Sequence, residues 1–183
     1  PQSPIPNPQK KIILLASDCE SSRWVYHALK EAAGIEAVIL EQPVSKKELA
    51  KNRIKKTGFV PVMGQVLFSA LVVPLLKLQS QKRKTYLVSK YGLNSSAINS
   101  SKIYRVNSAN DEGSLKAIQL LQPDIIVVNG TRIISKKILQ STNAIFVNMH
   151  VGITPYYRGS HGGYWALRNK DAGNFGTTIH LID

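Results

Sequence analysis

The chain has 183 residues, 43% of them hydrophobic, which is enough for a buried core and excludes a disordered or collagen-like polymer. A single cysteine, Cys19, excludes an intrachain disulfide framework and any zinc site built on several thiolates. The net charge of +13 is local: residues 46–105 hold thirteen basic residues against Glu48 alone, an excess of +12, so any electrostatic claim about partners concerns that segment.

Residues 1–9 open with three X-Pro bonds and no apolar run, and read as an extended arm rather than a signal peptide. The start at Pro1 rather than Met fits a chain with an upstream piece. Lys10 to Ala16 predicts a buried strand that ends at the polar turn Ser17 to Ser22. A helix over about 22–33 closes at Gly34, and Glu36 to Glu41 predicts the next strand. Strand, helix, strand is a βαβ unit and implies a parallel sheet.

The pattern then breaks. Residues 45–58 are a Lys-rich helix candidate, and residues 57–76 carry no charge over twenty positions, followed by Lys82-Arg83-Lys84. That run is long enough to cross a bilayer, but Pro61, Gly64, Gln65 and Pro74 weigh against it. A buried helical hairpin is the preferred expectation, with membrane-surface contact or partner binding as the alternatives. The alternation returns with a strand at 102–106, a helix from Asp111 to Gln122, a strand at 123–128, a short helix at 135–140, a strand at 144–148, a helix at 163–170 and a last strand at 176–182. The expected fold is α/β, a doubly wound, mostly parallel sheet over residues 10–183 with a basic, apolar helical insertion at about 45–95.

In such sheets ligands sit off the carboxyl ends of the strands, so Asn129 to Arg132, Asn148 and His150 are the polar residues to weigh. Asn148 and His150 are two residues apart and face the same side if the strand continues. An amide donor beside an imidazole can stabilise an oxyanion and handle a proton. A turn device beside a hydrogen-bonded histidine is the plain alternative.

The run from Asn148 to Gly159 has a wider pattern. An Asn-x-His (Asn148, His150) precedes a Pro-x-x-x-Gly loop (Pro155, Gly159), a helix around Trp165 and a Gly-Thr-x-x-His strand (Gly176, Thr177, His180). Upstream, Pro123 to Val128 and Gly130 to Ser135 read as a strand and a loop. In this order the chain resembles the folate-dependent formyltransferases, the superfamily acting on glycinamide ribonucleotide, methionyl-tRNA and sugar amines. The resemblance covers residues 123–183 well and 10–41 loosely. It implies a Rossmann-like fold and a formyl group moved from 10-formyltetrahydrofolate to an acceptor amine. It implies Asn148 and His150 as catalytic, with His180 in support. Thr131, Arg132, Ile133 and Ile134 would take the pterin, the two isoleucines as apolar walls, and Gly152, Tyr157 and Arg158 would face the acceptor. The family's histidine-orienting aspartate would fall past Asp183, so Asp183 is not given that role and activity of the chain as given is not assumed.

For the acceptor, elimination leans towards an amino sugar, with methionyl-tRNA or glycinamide ribonucleotide as the alternatives. The turn Ser17 to Ser22 has two acids and no glycine, which opposes a glycinamide ribonucleotide phosphate, and the additional C-terminal domain of the tRNA enzymes has no room in 183 residues. An amino sugar, free or nucleotide-linked, is the expected small-molecule acceptor, with the basic segment either holding an anionic carrier or merely solvating the insertion. Two rival classes stay open. A metal hydrolase would use His150, His161 and His180, whose spacing matches no ligand motif, and no metal is expected. A non-catalytic module would bind RNA or an anionic membrane surface through the basic segment with Tyr86, Tyr91 and Tyr104, but no RNA-binding sheet motif accompanies them. A dehydrogenase lacks its Gly-x-Gly-x-x-Gly after the first strand. A cytoplasmic location is expected, with membrane contact through residues 57–76 the alternative; oligomeric state stays open.

Overall fold

A computed structural model describes residues 10–159 and 161–182; the arm expected over residues 1–9, and Asp183, lie outside them. The chain divides into two compact units, Pro1–Gln42 with Ser95–Asp183, and Pro43–Asn94.

The first unit is built on β1 (Ile12–Ser17), α1 (Glu20–Ala32), β2 (Ala37–Glu41), β3 (Ile103–Val106), α5 (Glu112–Leu121), β4 (Ile125–Asn129), α6 (Lys136–Leu139), β5 (Ile145–Val151), α7 (Gly162–Arg168) and β6 (Thr177–Ile182). The strands form one sheet in the order β3-β2-β1-β4-β5-β6. The first five run parallel and β6 closes the edge antiparallel to β5. This is the doubly wound order, with its switch point between β1 and β4. The central strands read as continuous apolar runs because both faces are covered. On one face Ile13, Leu15, Ile39, Ile126, Val128 and Phe146 pack with Ala117, Ile118 and Ile138 of α5 and α6. On the other, Leu14, Ala16, Val38, Leu40 and Val127 pack with Tyr26 of α1. Asp111 caps α5 by accepting from the Ser114 backbone N–H at 2.8 Å, which satisfies one of the orphan donors of its first turn.

Strand register sets which polar side chains meet. Partners across a sheet share a face and successive residues alternate. Tyr104, Ile39, Leu15, Val128, Asn148 and His180 therefore form one row across all six strands. That row is apolar until its last two members. Two residues further on, Glu41 and Ser17 on β2 and β1, and His150 and Thr178 on β5 and β6, form the next row on the same face. The strand expected to stop at Asn148 runs on to Val151, which is what holds Asn148 and His150 in one direction.

The second unit holds α2 (Lys46–Thr57), α3 (Phe59–Leu67), a π-helical turn (Phe68–Val72) and α4 (Val73–Lys90). The buried hairpin expected over residues 57–76 is not what forms. Residues 59–90 run on as one helical stretch, and of α3, the π turn and α4 only Val62 is buried. The two prolines do not interrupt it. Pro61 is third in α3, a first-turn position where a missing N–H costs little, and Pro74 lies inside the stretch directly after the π-helical turn Phe68–Val72, where the i→i+4 ladder is already interrupted.

Candidate active site

The carboxyl ends of β2 and β5 bring polar side chains onto the face of the Asn148–His180 row, while Asn129 at the end of β4 points to the other face and donates to Ser22 Oγ at 3.0 Å. Asn148 is half-buried on β5, directly opposite His180 of β6. His180 Nδ1 lies 2.8 Å from the Leu181 carbonyl, so that nitrogen carries the ring proton. Its Nε2 then accepts from Asn148 Nδ2 at 3.1 Å. The histidine thus fixes which way the amide points, and the second N–H on the same nitrogen is left to donate elsewhere.

His150 is held by the loop after β5. Its Nε2 lies 3.0 Å from the Gly159 carbonyl and its Nδ1 3.4 Å from that of Gly152. A neutral imidazole donates once, and the shorter contact assigns the proton to Nε2. The loop is itself anchored. Thr178 donates to the Gly152 carbonyl at 2.8 Å and accepts from the Thr154 N–H at 3.1 Å. Tyr157 donates from its hydroxyl to Asp171 Oδ2 at 2.9 Å, and Asn174 donates to the same carboxylate. The Asn174 bond first, and then that from Tyr157, holds the Asp171 carboxyl below its ordinary range. A depressed carboxylate contributes above the ordinary Asp range and is lost only as pH falls through the lowered value, so this anchor is intact at neutral pH. Arg158 stands exposed beside Gly159.

Gly152 is required by space as well as by backbone. At φ +123° it lies where a Cβ would stand 2.5 Å from the Tyr157 carbonyl and 3.1 Å from Gly162 Cα. Gly152→Ala is expected to cost about 1–3 kcal/mol, checked by thermal melting, and to push the loop off His150.

The loop after β4 is fastened from two sides. Glu41, only 2% exposed, closes β2. Its carboxylate accepts from the Arg132 N–H at 3.0 Å, from Arg132 Nη1 at 2.9 Å and from the Ala109 N–H at 2.8 Å. Arg132 Nη1 also donates to the Asn107 carbonyl at 2.9 Å. Asn110 spans the next residues, donating from Nδ2 to the Ile133 carbonyl at 2.9 Å and accepting from the Ser135 N–H at 2.7 Å. Thr131 donates to the Arg132 carbonyl at 3.0 Å. Of the two expected apolar walls, Ile133 stands 93% exposed, while Ile134 is buried in the core with Ile138 and Phe146. Ile134 therefore pins the loop to the sheet, and Ile133 alone offers an apolar side chain at the surface.

Glu41, Asn110, Asp171 and Thr178 were not expected as site residues. A charged residue ending the apolar run Ala37 to Leu40 was the available signal for Glu41. The turn expected to repel phosphate is less acidic than its sequence, since Asp18 pairs with Arg105 at 3.3 Å and Arg23 at 3.8 Å. Among the described residues no three His, Cys, Asp or Glu side chains are grouped as a metal ion would need. A cavity of about 620 Å³ lined by Lys10, Gln122, Pro123, Asp124 and Asn143 lies at the amino ends of β4 and β5, at the opposite end of the sheet from these groups.

Comparison with known proteins points the same way. The formyl transferase family model matches residues 69–183. A methionyl-tRNA formyltransferase of Methylacidiphilum infernorum is 32% identical over 82 residues, 44% of this chain and 25% of the relative. One of Clostridioides difficile is 31% identical over 80 residues, 43% and 26% of the two chains. The matched stretch spans about a quarter of the length of those curated relatives. Among solved structures, a phosphoribosylglycinamide formyltransferase from Anaplasma phagocytophilum aligns with a TM-score of 0.53 at 14% identity, covering 95% of this chain and 65% of that one. One from Bacillus halodurans gives 0.52 at 14% identity, covering 94% and 72%. At that identity the likeness speaks for the fold alone.

Proposed function

We propose that this chain, which belongs to the formyl transferase family, is the donor-binding and catalytic part of an enzyme that moves a formyl group from 10-formyltetrahydrofolate to an amine. The observation that carries the reading is the polar end of the sheet row, where Asn148 and His150 share one face of β5 at the carboxyl end. The amine nitrogen attacks the formyl carbon, and a tetrahedral centre forms with negative charge on the formyl oxygen. The free N–H of Asn148 donates to that oxygen. The C–N bond to the folate N10 then breaks, and the proton lost by the amine reaches N10 through His150 once its ring turns off the Gly159 carbonyl, which opens its one N–H and one lone pair to the reactants. The backbone of Arg132 to Ile134 lines the pterin slot, with Ile133 as its apolar wall. Gly152, Tyr157 and Arg158 belong to the loop that would face the acceptor.

Because Asn110 bridges the Ile133 carbonyl and the Ser135 N–H, Asn110→Ala is expected to weaken binding of a folate analogue about tenfold, read by calorimetry, with the rate at saturating donor less affected.

For the acceptor, an amino sugar is the proposed class, supported by the turn Ser17 to Ser22 after β1, which has no glycine to let a ribonucleotide phosphate approach its backbone. A methionyl-tRNA acceptor is the second reading, supported by the curated relatives. Assay of the intact protein with 10-formyltetrahydrofolate and a panel of amino sugars, glycinamide ribonucleotide and methionyl-tRNA decides between them. Transfer to an amino sugar alone supports the first reading, and transfer to none of the three removes the proposal.

A further inference from the structure

The second unit, Pro43–Asn94, has an outer surface unlike that of a soluble helical pair. Phe59 is 61% exposed, Val60 79%, Phe68 52%, Leu71 64% and Leu75 61%. With Val66 and Leu76, 52% and 49% exposed, these positions cover every side of the helical stretch, and a helix apolar all round belongs in a core or in lipid. Within the unit only α2 covers it, on one side. Val62 and Val66 face Leu49 and Ala50 across a groove, and Arg53 donates to Gln65 Oε1 at 3.0 Å. The rest of this unit is strongly basic: it holds eleven Lys and Arg against Glu48. Arg83 and Lys90 stack over the exposed Tyr86, and Lys90 over the exposed Tyr91. Exposed tyrosines beside basic side chains, next to an uncharged run, match the make-up of a bilayer interface.

We infer that this unit docks the protein on one leaflet of an anionic lipid bilayer, with the apolar stretch of α3, the π turn and the start of α4 among the acyl chains and the lysines and arginines at the headgroups.

Chain connectivity selects this mode over a span. The uncharged helical part from Phe59 to Leu76 is about 27 Å long, close to a hydrocarbon core. Yet the unit leaves the sheet after β2 and returns to it before β3, and β2 and β3 are hydrogen-bonded neighbours. A single crossing would put the two on opposite sides of the membrane. Among the described residues only one helix is long and apolar enough to cross, so no second crossing brings the chain back. The segment enters and leaves on one side. Charge selects lipid over a second copy of the chain, since self-association through this face would bring two strongly positive surfaces together. Anionic headgroups complement it instead, at roughly fivefold in partitioning for each basic residue near the surface.

The test is flotation of the full chain through a density gradient with vesicles of phosphatidylcholine and phosphatidylglycerol, and with phosphatidylcholine alone. The protein is expected to float with the anionic vesicles and much less with the neutral ones. The double variant Phe68→Glu, Leu71→Glu should lose flotation more than tenfold, and Lys82→Gln with Arg83→Gln should lower it by roughly 25-fold. Circular dichroism and folate-analogue binding, unchanged in each variant, show that the first unit is intact. Failure of the wild type to float, flotation untouched by the two glutamates, or a defined oligomer that those glutamates dissolve would each overturn the inference. None of these outcomes bears on formyl transfer, which is read separately.

Discussion

Replacing His150 with alanine is expected to lower formyl transfer by about 10²–10⁴-fold while leaving affinity for a folate analogue nearly unchanged. The same holds for Asn148→Ala, at about 10²–10³-fold, the loss that accompanies removal of one oxyanion donor. Both effects are local. Asn148 is aimed by His180, and His150 donates to the Gly159 carbonyl, so neither side chain is needed to hold the sheet. Neither sits in the 131–134 loop proposed for the pterin either. The measured split is therefore rate against donor affinity. The double variant should fall little further than the worse single one, because the two groups serve one step. Full activity in both single variants would remove the mechanism. Equal loss of donor binding would move the pair from catalysis to binding.

Glu41→Ala is expected to cost about 3–5 kcal/mol of stability, a fall in melting temperature of roughly 6–20 °C. The carboxylate is buried at the end of β2 and satisfies three donors. Its removal strands two backbone N–H groups and releases the Arg132 guanidinium. Glu41→Gln keeps an acceptor but not the charge, and its cost should be smaller. A structural role alone would lower stability and spare affinity per folded molecule. If Glu41 positions the pterin loop, folate-analogue affinity of the folded Glu41→Gln protein should also drop. Arg132→Met should reproduce that drop, and the double variant should show coupling rather than addition, since the two residues share one contact. A Glu41→Gln protein that binds the analogue as tightly as wild type would leave Glu41 a purely structural residue.

The sheet was legible where burial made strands continuous in apolar residues. Ile12 to Ala16 and Ile125 to Val128 are covered on both faces, so nothing in their environment calls for a polar residue. The Asn148–His150 pair was legible for the opposite reason, since polar residues interrupt such a strand only where something must be bound or turned. The antiparallel run of β6 was not, because pairing direction depends on the path from α7, which periodicity does not carry. Glu41 was opaque because its donors come from Arg132 and Ala109, far along the chain. Ile133 and Ile134 look alike in sequence, yet one faces solvent and the other the core, a difference set by the loop's tie to Asn110. Residues 57–76 misled because apolar composition reads the same whether protein or something else covers the helix.

The most direct measurement is a backbone and side-chain amide NMR titration of the chain with a non-transferable 10-formyl folate analogue. The largest shifts are expected at Thr131 to Ile134, at the Asn148 side-chain amide and at the backbone amide of His150, all at the carboxyl ends of β4 and β5. Saturable shifts gathered instead around Lys10, Pro123 and Asn143 at the opposite end of the sheet, or no binding by a chain whose spectrum is that of a folded protein, would contradict a folate site built on Asn148 and His150.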